Sequence, residues 1–196
     1  MSEQQPFVVV GIQGSPRVGG NTDLLLDAAL QGAAERGATV VRFRLNELNI
    51  RPCQGCGGCE KTGVCVIKDD MGLLYEALEN MDSLVLASPV YFGGVTAQTK
   101  AMIDRCQPFW VRKHQLKTPI SNDNRRRDMA FLSVLGHDQA DLIAGIRANV
   151  KYFFDTVTLD GELTELIFPK VEHAGEISDH WEALGQAKEA GAKLVP

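Results

Sequence analysis

Four of the five cysteines in this chain fall between Cys53 and Cys65, in the order Cys53-x-x-Cys56-x-x-Cys59-x5-Cys65. Thiols crowded this tightly do not read as the disulfide framework of a secreted protein; they point to metal or redox chemistry. Successive C-x-x-C spacings can turn three sulfurs toward one centre, and the fourth can close the remaining corner. Thiolates are the usual ligands of a [4Fe–4S] cluster, and the first three spacings match a bacterial ferredoxin run. Gly55, Gly57, Gly58 and Gly63 give the loop backbone freedom to wrap such a group. Three other readings stay open. Structural zinc more often sits between two separated knuckles, whereas here both spacings share Cys56. A single C-x-x-C redox pair leaves two cysteines unexplained. The loop can also stand reduced and without metal.

A second feature is the stretch Gly14-Ser-Pro-Arg-Val-Gly-Gly-Asn-Thr22, between a short apolar run and a helical pattern. Backbone N–H groups at a helix start are free, and the helix dipole favours an anion there. Ser15, Asn21 and Thr22 can add hydrogen bonds, and Arg17 a charge. No Gly-Lys-Ser/Thr follows, so this is no triphosphate loop, and the G-x-G-x-x-G order of dinucleotide sites is absent. A monophosphate such as that of FMN suits it better; the plain alternative is an ordinary strand-to-helix turn.

The third is Ser88-Pro-Val-Tyr-Phe-Gly-Gly94, after another apolar run. Pro89 fixes the backbone, Val90, Tyr91 and Phe92 offer apolar surface, and Gly93 and Gly94 let a flat ring approach. Two aromatics capping a core would look the same. Gly136-His-Asp138 is expected to reach the same rim from the next strand, with His137 exposed and without a proton-transfer role.

Other signals carry less. Cys106-x5-Arg112 has the spacing of a phosphatase loop, but Cys106 shares a helical face with Met102 and Ile103 and reads as a buried structural thiol. Arg125 to Arg127 read as a solvated loop, with contact to the extra phosphate of NADPH as the functional alternative. Asp104 and Arg105 read as structural ion-pair formers, and His114, His173 and His180 show no metal-ligand spacing.

These loops need a scaffold. Phe7–Ile12, Ser83–Ser88 and Met129–Leu135 are continuous apolar runs, expected as strands buried on both faces. Val41, Phe43 and Leu45 alternate with Arg42 and Arg44, as in a half-exposed edge strand. A fifth strand falls within 157–168, its ends unplaced. Helical faces follow at Leu24, Leu25, Ala28 and Ala29, capped by Asn21 or Thr22 and stopped by Gly37. Others fall at Leu73, Leu74, Ala77, Leu78 and Met81, capped by Asp69 or Asp70, and at Val95, Thr99, Met102, Ile103 and Cys106. Two more follow at Ile143, Ile146, Val150 and Phe153, and at Trp181, Leu184, Ala187 and Leu194 with Ser178 as cap. Five strands alternating with five helices make a three-layer, doubly wound α/β domain with a parallel sheet. The cysteine loop follows the edge strand, so it is expected at the same carboxyl rim as the phosphate loop.

The chain has 196 residues, enough for a single domain over 1–196 with a cysteine-rich loop at 52–68. Its net charge of −5 argues against a nucleic-acid partner. No apolar run reaches the length of a membrane span, and the polar Met1–Pro6 shows no signal peptide, so the cytoplasm is the expected location.

On the stretch 7–136 the sequence resembles the NAD(P)H-dependent FMN reductase superfamily, and within it the iron–sulfur flavoproteins. The likeness rests on Gly14-Ser-Pro-Arg17 with Asn21-Thr22, the Cys53–Cys65 loop, Asp69-Asp70-Met71, Ser88-Pro-Val-Tyr-Phe92 and Lys100 to Arg105. It implies a flavodoxin-like fold with strand order 2-1-3-4-5. It also implies FMN held at its phosphate by Ser15, Arg17, Asn21 and Thr22 and at its ring by Pro89, Val90, Tyr91, Phe92 and Gly93, with Gly136 contributing. A [4Fe–4S] cluster on Cys53, Cys56, Cys59 and Cys65 follows from the same likeness, as does a homodimer or homotetramer with the flavin near a subunit interface. The function it implies is electron transfer between a donor such as ferredoxin, the cluster and FMN. Two alternatives are a cluster-free reductase taking hydride from NAD(P)H to quinones, and a non-catalytic metal-binding or sensor domain.

Overall fold

The computed structural model describes residues 6–121, 126–158 and 160–196. Five parallel strands form one sheet: β1 (Val8–Gln13), β2 (Thr39–Arg44), β3 (Ser83–Ala87), β4 (Met129–Leu135) and β5 (Leu163–Pro169). Their order is β2-β1-β3-β4-β5, which is the flavodoxin-like arrangement. The strand order reverses between β1 and β3, where Gln13 pairs with Ala87 in register. Ligands of such sheets bind beyond the carboxyl ends at that reversal.

The helices are α1 (Asn21–Glu35), α2 (Met71–Asn80), α3 (Ala97–Asp104), the short α4 (Gln107–Val111), α5 (Ala140–Val157) and α6 (Trp181–Lys193). There is thus one more than the apolar pattern predicts, because the run from Val95 to Leu116 breaks at Cys106 ahead of Pro108. Alternate strand residues feed two separate cores. Val10, Ile12, Leu84, Leu86 and Phe131 pack with α2, α3 and α5. Val9, Val85, Ala87, Ala130 and Leu132 pack with α1 and α6.

Local expectations fail at several caps. The N-cap of α1 is Gly20, with no side-chain bond, so neither Asn21 nor Thr22 caps it. Gly37 does end the helix, at φ +93°. On α2 the buried residues are Met71, Leu74 and Leu78, while Leu73 faces solvent. Asp69, rather than Asp70, accepts the Met71 N–H, at 3.2 Å. Ser178 lies inside a 3₁₀ turn, His180 is the N-cap of α6, and Trp181 is exposed. The fifth strand, whose ends the sequence leaves unplaced, runs Leu163–Pro169, after Asp160 in a left-handed conformation at φ +47°.

The triple-arginine reading is also corrected. Arg127 is fully buried; its guanidinium donates to Met81 O at 2.7 Å and to Glu79 O at 3.1 Å. It serves the last carbonyls of α2, where a cation also complements the helix dipole. Arg126 is paired with Asp128 and Glu162, and Arg125 lies outside the described residues.

Candidate functional site

The carboxyl ends of β1, β3, β4 and β5 surround one cavity of about 260 Å³. Ser15, Arg17, Gly20, Asn21 and Thr22 line it from the first loop, Pro89, Val90 and Tyr91 from the second, and Gly136 and His137 from the third. Ser15 and Tyr91 therefore face the same space. One side is polar and ends on α1; the other is apolar, with Val90, Val134, Leu135 and Val171.

The polar side has the properties of an anion site. Gly20 O accepts from the N–H groups of Asp23 and Leu24, so α1 starts there. The first N–H groups of a helix have no partner within it, and no side chain caps this end. Ser15 is buried, and its Oγ accepts the Arg17 N–H at 3.1 Å. Asn21 plays a different part from the one its type suggests. Its amide donates to His173 O at 2.8 Å and accepts from Ile177 N at 3.2 Å, which ties down the loop after β5. That loop supplies Val171, Glu172 and Ala174 to the cavity. These residues were not foreseen; the carboxyl-end rule would have found them had the end of β5 been placed.

The phosphate loop and the ring loop are joined from below. Thr96, the N-cap of α3, donates from Oγ1 to Gly14 O at 2.6 Å and accepts from Thr99 N. A β-carbon at Gly14 would lie 2.0 Å from Thr99 Oγ1, so only glycine fits where the two loops meet. The ring loop ends in a two-residue turn, with Tyr91 and Gly94 exchanging both backbone bonds at 2.9 and 3.1 Å. Phe92 and Gly93 occupy it with φ +49° and +75°, the signs of a type I′ turn. Phe92 points wholly into solvent. Neither Phe92 nor Gly93 is among the residues lining the cavity.

Cys53, Cys56, Cys59 and Cys65 line a different cavity of about 240 Å³, together with Arg105, Gln107 and Pro108. The two cavities share no lining residue. The cysteine loop does leave from the carboxyl end of β2, and Asn46 there bonds Gln98 near the start of α3. It then follows α3, about 12 Å long, to the helix's far end. There Arg105 donates to Arg51 O at 2.7 Å and to both oxygens of Asp69 at 2.7 and 3.0 Å. Within one chain the cysteine cavity is thus separate from the cavity at the phosphate loop, with Arg105 from the end of α3 in its wall.

All four cysteines carry free thiols. Among the described residues no three His, Cys, Asp or Glu side chains are gathered as a single metal ion would gather them. Four soft thiol donors lining one cavity are a ligand set whose chemistry suits a four-iron core. Positive φ at Gly55 and Gly57, +59° and +69°, provides the backbone turns between them. Burial pushes the Cys59 thiol up, and the neighbouring Cys65, Cys53 and Cys56 push it further. Bound metal would reverse that balance, since a coordinated thiol is deprotonated. Cys106, by contrast, is buried with its thiol held well above the usual range by desolvation and its Sγ directed at Met102 O; its role is structural.

A five-stranded parallel sheet in this order, with an uncapped helix start and an apolar wall at its reversal point, defines a flavodoxin-like α/β protein. The chain belongs to the NADPH-dependent FMN reductase family, whose model matches residues 8–141. It is 44% identical over 103 residues to an iron–sulfur flavoprotein of Methanocaldococcus jannaschii, a match covering 53% of each chain. With an iron–sulfur flavoprotein of Archaeoglobus fulgidus it shares 46% over 103 residues, 53% of this chain and 47% of that one. The chain spans about half the length of the curated relatives it matches. Among solved structures, an NAD(P)H:quinone oxidoreductase from Methanothermobacter marburgensis superposes with a TM-score of 0.71 at 18% identity, covering 96% of this chain and 99% of that one. A flavone reductase superposes with a TM-score of 0.72 at 21% identity, over 96% of this chain and 62% of that one. At these identities the likeness concerns the fold.

Proposed function

We propose that this chain is an FMN-dependent oxidoreductase that passes electrons between a donor, a [4Fe–4S] cluster and FMN. The observation that carries the flavin is the single cavity shared by Ser15, Thr22 and Tyr91 at the sheet's reversal point. When bound, FMN supplies one- and two-electron redox chemistry that no side chain offers. Ser15, Arg17, Thr22 and the start of α1 hold the phosphate, Asn21 braces the loop opposite, and Pro89, Val90, Tyr91 and Gly136 face the ring. The four cysteines hold the cluster, a reading supported by their common cavity and by the iron–sulfur flavoprotein relatives. Ferredoxin or NAD(P)H is the donor class, a homodimer or homotetramer the assembly, and the cytoplasm the location. No helix among the described residues is long and apolar enough to cross a membrane.

Protein purified without oxygen should contain one FMN per chain, about four irons, and a broad absorbance shoulder beside the flavin bands. Replacing Cys56 with Ser should remove the iron and leave FMN bound. Iron content that does not change would refute the cluster, and protein that takes up no FMN would refute the flavin. A second reading, a cluster-free reductase using NAD(P)H, is favoured by the family and by the separation of the two cavities within the chain. Rapid bleaching of the flavin by NADPH in iron-free protein would select it.

A further inference from the structure

Behind the phosphate loop lies a buried polar group that is not among the residues lining the cavity. Gln13, the last residue of β1, is 1% exposed. Its Nε2 approaches Ser15 O at 3.4 Å and Arg17 O at 3.3 Å. Its Oε1 accepts from Arg42 on the neighbouring strand β2 at 2.9 Å. This pattern fixes which way the amide faces. Two carbonyls can only accept and a guanidinium can only donate, so the NH₂ must face the loop.

Arg42 is in turn held by Asp23 and Asp27 on α1. Asp23 is buried, and its Oδ2 accepts the Gly19 N–H at 2.7 Å. Three backbone groups of the loop, at residues 15, 17 and 19, are therefore taken from behind by side chains. A trans peptide holds its C=O and N–H in opposite directions. Drawing Arg17 O toward Gln13 thus turns the Val18 N–H away from the sheet. The same bonds fix the path by which the loop reaches Gly20 and the open start of α1.

Resting on the FMN reading above, we propose that Gln13 is a positioning residue: backed by Arg42, it sets the loop conformation that recognises the flavin's phosphate. Gln13 contributes nothing to the ring side, whose walls come from β3, β4 and the loop after β5. Its loss should therefore act on the phosphate and spare the isoalloxazine.

The test compares FMN with riboflavin, which carries the same ring without the phosphate, by fluorescence titration of the flavin-free full chain. In the wild type FMN should bind much more tightly than riboflavin. Gln13→Met, which keeps size and removes both donors, should weaken FMN by about ten-fold, the loss expected for two modest hydrogen bonds. Riboflavin affinity should stay within about two-fold. Gln13→Asn stays polar but is one carbon too short to reach both carbonyls; it should give the same pattern and serves if the Met variant does not fold. Equal losses for both flavins would mean a merely structural role and would overturn the proposal, as would undiminished FMN affinity in a folded variant. A wild type that binds FMN no more tightly than riboflavin would overturn the phosphate site itself, and the role of Gln13 with it.

Discussion

Arg105 and Asp69 bring opposite charges to side chains 1% and 2% exposed, 36 residues apart in sequence. The pair joins the far end of the cysteine loop to the end of α3. Removing one partner would leave the other charge buried without compensation, which typically costs about 3–5 kcal/mol. Arg105→Met should therefore lower the urea midpoint sharply, and Asp69→Asn in the same chain should recover part of the loss. The pair also sets an acid limit. Burial pushes the Asp69 carboxyl up, but the bonds from Arg105 and from the Arg51 and Met71 N–H groups outweigh it and hold the group below the ordinary range. A carboxyl depressed in the folded state stabilises it fully above the unfolded value of about 3.9, and loses that contribution as pH falls through the lower folded value. The stability difference between wild type and the double variant should be flat from pH 7 to about pH 4 and shrink below it. A difference already shrinking between pH 7 and 5 would mean that another group controls it.

The turn after β3 shows how an element can hold a residue against its own preference. Phe92 has φ +49° and is fully exposed, so it bears the left-handed conformation without packing to offset it. That conformation costs a bulky L-residue roughly 1–2 kcal/mol. Asn-Gly is the favoured pair for this turn type, and Phe92→Asn should raise stability by about 1 kcal/mol in urea unfolding. Unchanged or lower stability would mean that the ring is engaged by a partner under the assay conditions. The same turn also shows where the sequence stops being informative. Ser88 to Gly94 were legible as a ring loop because glycines and aromatics follow a buried strand. Which of them face the cavity depends on the hairpin's direction, and that depends on α5, where Leu142 lies against Gly93. Strands β1, β3 and β4 were legible because burial on both faces leaves uninterrupted apolar runs. β5 is half-buried along its whole length and carries Glu165, so its ends gave no signal, and the cavity wall beyond it went unseen. Arg127 misled for a related reason: a basic run looks solvated unless the carbonyls waiting for it, at Glu79 and Met81, are known.

At the scale of the whole molecule, the proposed flavin cavity depends on a helix pair that no motif announces. The family match ends at residue 141, yet α6 packs against α1, whose start lines the cavity. The two helices approach at glycines. A β-carbon at Gly191 would lie 1.8 Å from Ala29 O, and one at Gly32 would lie 2.0 Å from Lys188 O. Backbone, not a flexible side chain, stands in the way at both places, so the helices would have to separate. Gly191→Ala should cost about 1–3 kcal/mol, the usual penalty of overpacking. Gly185 is on the same helix, exposed, with open space around it. There the same substitution should add up to about 1 kcal/mol, because alanine is the better helix former. Opposite signs in urea unfolding would locate the effect in the close crossing. Equal signs would show that helix propensity alone governs α6 and that its approach to α1 is looser than these distances indicate. Because α1 begins at the proposed phosphate site, Gly191→Ala should also weaken FMN more than riboflavin, whereas Gly185→Ala should leave both unchanged.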